Sequence, residues 1–206
     1  MTALHQVLNE RFGEHRVSEI VVESNEIPLL LLDLELRSPI KVIVTNGLSD
    51  YKMPVPEVLA GLEYNEIYFC LPSYWDLDEI DNPRMNWVFN WIQRLVKYVT
   101  EQKSWFGHGH TMPCGKDMSS LSETMNQNHL FLSNPILLEQ ELAPLKMDGH
   151  SVQFLGIIPI FGDEMDYKQG KGTLKLMRKF LSNGITEMLD DYRGTVLQSK
   201  WRLYKR

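Results

Sequence analysis

Residues 28–45 read PLLLLDLELRSPIKVIVT. Leu30, Leu32, Leu34 and Leu36 fall on one side of an extended chain, while Asp33, Glu35 and Arg37 mark the other. After a break at Ser38-Pro39, Ile40, Val42 and Val44 again share one side, with Lys41 between them. Alternate side chains of a strand share a face, so this period of two on both sides of a short break predicts an antiparallel strand pair.

Outward from that pair the chain offers more strands than helices. EIYFCL (66–71) is a further strand closed by Pro72, and HLFLS (129–133) a short apolar run. SVQFLGIIPIF (151–161) is apolar on both faces, as expected of a strand in the middle of a covered sheet. Helical spacing appears at Leu4, Val7 and Leu8, with Thr2 placed to cap. It returns at Val88, Trp91, Ile92, Leu95 and Val99, and again at Leu174, Met177, Leu181, Ile185 and Met188, where Gly184 weakens the run. Trp87, Trp91 and Tyr98 form an aromatic stripe expected to pack on the sheet. The strands cluster rather than alternating with helices, and there is no repeat or linker. The expectation is therefore one α+β domain over residues 1–206. Its mixed or antiparallel sheet would be flanked by long helices near 84–100 and 172–191, with residues 192–206 as a basic tail.

Composition narrows the function classes. The 206 residues carry a formal net charge of −6, which disfavours phosphate neutralisation and hence nucleic acid as a partner. An apolar fraction of 43% and a charged fraction of 23% are those of a globular protein. The longest apolar run, LLLLDLEL, is broken by acids and too short for a bilayer, and the N-terminus lacks a signal-peptide pattern. With only two cysteines, Cys70 and Cys114, no disulfide framework is implied, and a cytoplasmic location is expected.

One stretch raises metal chemistry. WFGHGHTMPCG (105–115) spaces His108 and His110 so that both imidazoles would face one ion in an extended chain, with Cys114 as a third ligand. Pro113 intervenes, and neither an Asp-His pair nor a Glu follows at the positions used by known His-x-His centres. The alternative is a glycine-shaped turn fixed by its own hydrogen bonds, and that reading is preferred: no metal, no cofactor, no catalytic residue. Gly-x-Ser-x-Gly, His-Glu-x-x-His and phosphate-loop patterns are absent.

Two acidic clusters remain. Asp76, Asp78, Glu79 and Asp81 follow Tyr74 and Trp75, and Asp163, Glu164 and Asp166 sit beside Tyr167. Carboxylates beside an aromatic anchor suit recognition of a basic protein, so these seven are the candidate partner contacts. The competing reading is a solvated loop with helix-start acids.

Four segments in order, TNGLSDYKM (45–53), EIYFCLPSYWDL (66–77), WVFNWIQRLVKYVTEQKSWFGHGHTMP (87–113) and VQFLGIIPIFGDEMDY (152–167), resemble the suppressor-of-fused (SUFU-like) domain family. The resemblance is strongest over about 40–185. It departs at Ser73-Tyr74, where the family has proline-aspartate. It implies a non-catalytic α+β domain that works by binding another protein. Thr45, Gly47, Ser49, Asp50, Trp105, Gly109, His110, Thr111 and Pro113 would be scaffold loops. The animal member sequesters a transcription factor, whereas compact bacterial members resemble immunity proteins that neutralise a toxin. The chain's size is similar to the second group. The alternatives are a cytoplasmic adaptor that sequesters an endogenous regulator, or a metal enzyme at His108 and His110.

Overall fold

The computed structural model describes residues 2–20, 27–77, 82, 84–115, 120–147 and 149–197. Its centre is one sheet, and the 28–45 stretch supplies two neighbouring strands of it. β2 (Leu29–Glu35) and β3 (Pro39–Thr45) pair antiparallel with Leu30 opposite Val44 and Leu34 opposite Ile40. β1 (Val17–Ile20) lies outside β2, and β4 (Tyr64–Pro72) lies inside β3, both antiparallel. β8 (His150–Ile160) then joins β4 in parallel and continues antiparallel to β6 (His129–Ser133), which carries β5 (Thr111–Pro113) at the edge. The order is β1-β2-β3-β4-β8-β6-β5, with β7 (Leu145–Met147) paired to the start of β8.

The strand pattern fixes what covers each face. Leu29, Ile43, Ile67, Phe69, Leu155 and Ile157 turn to α2 (Trp87–Glu101), whose Val88, Trp91, Ile92, Leu95 and Val99 are buried against them. Leu30, Leu32, Val42, Val44, Tyr68 and Phe154 turn the other way and meet Leu4 and Leu8 of α1 (Ala3–Phe12). Farther along that second face, Ile158, Ile160 and Phe131 meet Leu176 and Phe180 of α4 (Thr173–Ser182). β8 feeds all three clusters, which is why it shows no polar face. The Thr2 hydroxyl caps α1 by accepting the His5 N–H at 3.2 Å.

Several expectations change. The helix expected over 172–191 stops at Ser182, because the chain turns at Gly184 with φ +71°, a conformation that other residues resist. Beyond it, Met188 bridges to Cys70, and the Leu189 N–H donates to the Cys70 carbonyl at 2.8 Å, so the chain runs alongside β4 past the end of its pairing with β8. Residues expected as a helix and a tail therefore form a strap. The acidic stretch after β8 is itself a helix, α3 (Gly162–Lys171), with Asp163 and Glu164 in its first turn where the helix dipole favours them. Trp87 and Trp91 are core, as expected, but Tyr98 is 40% exposed and stacks on Phe106.

Three fully buried glutamates bolt the connections to this framework. Glu66 on β4 accepts the N–H groups of Gly47, Leu48 and Ser49 and the hydroxyls of Thr45 and Ser49. Burial pushes its pKa up, and those donors pull it back only in part. Glu187 on the strap accepts the N–H groups of Ile136, Leu137 and Leu138 at 2.9–3.0 Å and the Tyr68 hydroxyl at 3.0 Å. Glu164 accepts the Phe161 N–H at its own helix start, the Val196 N–H, and both arms of Arg193 at 2.8 Å. Arg193 also donates to the Pro159 carbonyl at 2.6 Å, and its side chain is 6% exposed.

Replacing Arg193 with Ala leaves Glu164 charged and dry without its ion partner, so it should destabilise the chain by about 3–5 kcal/mol. At Gly156 an added Cβ meets the Glu187 Cβ at 2.9 Å and the Tyr68 hydroxyl at 3.0 Å. Gly156→Ala is accordingly expected to cost about 1–3 kcal/mol. Urea unfolding reads both, and a change below about 0.5 kcal/mol in either would contradict the packing described.

Candidate protein-binding surface

The His108–His110 stretch is a turn, closed by the His110 N–H donating to the Gly107 carbonyl at 3.1 Å. Gly109 takes φ +89° and presses so closely on Thr173 that a Cβ would lie 2.9 Å from its methyl group. This turn defeats the same-side geometry expected of residues i and i+2. The His108 Nδ1 accepts the Asn134 N–H at 3.1 Å, whereas the His110 ring packs edge-on against Trp105 with centroids 4.1 Å apart. Burial lowers both imidazole pKa values, and Lys168 lowers that of His110 further. Cys114 is buried, and that burial pushes its thiol up to about 12. Among the described residues no three His, Cys, Asp or Glu side chains are grouped to hold a metal ion.

Other motif residues lie in the turn after β3 and at the sheet edge. Thr45, Gly47 and Ser49 form the cradle of Glu66, with Asp50 exposed at its end. Thr111 accepts a hydrogen bond from Lys168 at 3.2 Å, and Thr111–Pro113 is the edge strand β5.

The acidic clusters divide differently from the expectation. Asp78, Glu79 and Asp81 lie outside the described residues. Glu164 turns inward to Arg193 and offers no surface, while Asp163 and Asp166 remain exposed. Asp76 is exposed, and the neighbouring Trp75 is core, its indole N–H donating to the Met85 carbonyl.

The strap, which the sequence reading passed over, connects these clusters. At one end the Tyr74 hydroxyl donates to Asp191 at 2.7 Å; burial and then that carboxylate raise the pKa of the phenol. At the other end the Thr195 hydroxyl donates to Asp163 at 2.8 Å. Asp191 and Thr195 are four positions apart, so their backbones are at most about 14 Å from each other. At the first of them, Asp190 accepts the Tyr192 N–H at 3.0 Å, fixing a turn from which Tyr192 projects 86% exposed. Tyr74 is 52% exposed beside it. The strap's cation, Arg193, is spent inside on Glu164. The result is a firmly held acidic surface bearing two exposed phenols. Its signal in the sequence was Asp190-Asp191-Tyr192, hidden within an apparent helix end.

A second feature is a groove of about 320 Å³ lined by Leu59, Leu62, Trp105, Phe106, His108 and Leu155. It lies where the parallel β4–β8 pair meets the loop after α2. Leu62 is 42% exposed at its rim, so the groove offers apolar surface to an incoming segment.

Comparison with known proteins places this architecture. No curated protein matches the chain. Among solved structures, a chain of the Sufu–Fu complex matches with TM-score 0.68 at 15% identity, covering 98% of this chain and 92% of that one. A putative SUFU homologue from Neisseria gonorrhoeae matches with TM-score 0.62 at 16% identity, over 95% and 97%. Drosophila Suppressor of Fused matches with TM-score 0.66 at 15% identity over 98% of this chain, which spans 51% of that structure. The family model described as Suppressor of fused protein (SUFU) aligns with residues 24–194, across the sheet from β2 onward, the glutamate-capped loops and most of the strap, so the chain belongs to the suppressor-of-fused family.

Proposed function

We propose that this chain is a stoichiometric protein-binding domain that neutralises a basic toxin, acting as an immunity protein. The observation that carries the reading is the strap surface: exposed Tyr74 and Tyr192 beside Asp190 and Asp191, exposed Asp76 two residues beyond Tyr74, Asp163 tied to the far end through Thr195, and Arg193 turned inward. Phenols on a fixed turn supply contact area at low entropic cost, and surrounding carboxylates steer a cationic partner and set its orientation. A chain with this fold has been solved in complex with a protein, Fu, which supports the binding class. The mechanism is occlusion: the strap covers the toxin's basic cleft, and no bond is made or broken. Two buried free cysteines fit a reducing cytoplasm, and among the described residues no helix is long and apolar enough to cross a membrane.

A second reading, an adaptor that sequesters an endogenous regulator, is favoured by the Leu59–Trp105 groove, which suits one apolar segment better than a charged cleft.

The test is affinity capture from extracts of the native organism, followed by kinetics with the purified pair. For a basic toxin, neutralising Asp76, Asp190 and Asp191 together as Asn should slow association by about tenfold or more at low salt, with dissociation little changed. Tyr192→Ala should instead speed dissociation by about tenfold. A captured regulator whose binding ignores these variants and salt, but is lost with Leu62→Asp, would replace the toxin reading with the adaptor.

A further inference from the structure

The segment from Tyr167 to Thr186 carries Lys168, Lys171, Lys175, Arg178 and Lys179 and no acid, in a chain whose net charge is −6. α4 dominates that segment, and its outer side is not uniformly polar. Leu174 is 73% exposed and Leu181 57% exposed. At seven residues apart they sit about 20° from each other around the helix and one above the other along it. Met177, half-buried against the third core cluster, completes an i, i+3, i+7 seam between them. This is the spacing by which one helix packs lengthwise on another. Arg178 borders the seam on its solvent side, with Lys175 beyond it, and both are exposed. Lys179, by contrast, is held over the Tyr167 ring at 5.3 Å.

We propose that the Leu174–Met177–Leu181 seam of α4 is a docking site for an acidic amphipathic helix. The partner's apolar stripe would cover the leucines, and its carboxylates would meet Arg178 and Lys175. Charge complementarity selects this occupant. A second copy of the chain docking by the same seam would bring Arg178 and Lys175 against the same two cations, an arrangement that opposes helix pairing. Nucleic acid fits poorly, since two exposed cations beside paired leucines neutralise too few phosphates for useful affinity. The site is separate in charge and chemistry from the acidic strap, so it stands whether or not the strap binds a toxin.

The probe is a synthetic helical peptide with leucines at a and d and glutamates at e and g, compared with the same peptide carrying lysines at e and g. Fluorescence anisotropy with the full chain should show saturable binding of the glutamate peptide and at least about tenfold weaker binding of the lysine peptide. Leu174→Ser with Leu181→Ser should weaken the glutamate peptide at least about tenfold, and the exposure of both residues leaves the fold intact, as circular dichroism would verify. Arg178→Glu with Lys175→Glu should invert the preference between the two peptides. Equal binding of both peptides, no saturable binding, or insensitivity to the serine pair would each overturn the proposal. Co-sedimentation with anionic vesicles through Leu174 and Leu181, without peptide binding, would overturn it in favour of a membrane surface.

Discussion

A carboxylate taken out of water must be met by donors, and in this protein three buried glutamates are met largely by backbone N–H groups of chain segments that would otherwise have no reason to lie where they do. Glu66 gathers the turn after β3, Glu187 gathers the turn after β6, and Glu164 ties the strap to the start of α3. The sheet and its helices would bury their apolar faces without these contacts. What the glutamates add is position: each fixes a loop through several convergent hydrogen bonds, so the loops they hold are as determined as the regular part.

The same arrangement demands few side-chain identities of this chain, whose fold is shared by structures at 15–16% identity. A core face tolerates exchange among apolar residues of similar volume, and a backbone N–H is supplied by every residue except proline. A structure that depends on buried acceptors paired with main-chain donors therefore demands few side-chain identities. Thr45, Ser49 and Glu66 meet that demand at one loop, with Gly47 taking φ +126°. Gly109 meets a steric one, because Thr173 leaves no room for a Cβ.

The regular core was legible in the sequence because it is periodic. The 28–45 pair, the doubly apolar β8 and the α2 stripe all carry their burial pattern openly. What was hidden depends on contacts distant in sequence. α3 has little apolar periodicity, since it is anchored through Glu164 and a residue 29 positions away. The continuation of α4 into 185–191 looked helical because Ile185 and Met188 keep the spacing, but Gly184 and the pull of Glu187 toward the 136–138 turn win. The same-side placement of His108 and His110 assumed an extended chain, and Gly109 at φ +89° bends it. The acidic candidates divide by the same logic: Glu164 turns inward to an arginine that local reading placed in a tail, while Asp163 and Asp166 are exposed.

On the proposed reading, scaffold and contact are carried by different residues, and this bears on how such a domain would change partners. Of the residues that made the family recognisable, Thr45, Ser49 and Gly109 face inward or sit in close packing. Asp190 and Tyr192 project from a strap whose course is fixed by Glu187 below and the Arg193–Glu164 pair behind. Substituting Tyr192, exposed as it is, removes no buried contact that the core needs, and Asp190 adds only a local turn bond. A surface held from behind by buried charge can alter its charge pattern and its aromatic anchors at little cost in stability. A binding domain that must follow a changing partner needs that separation of anchoring from contact.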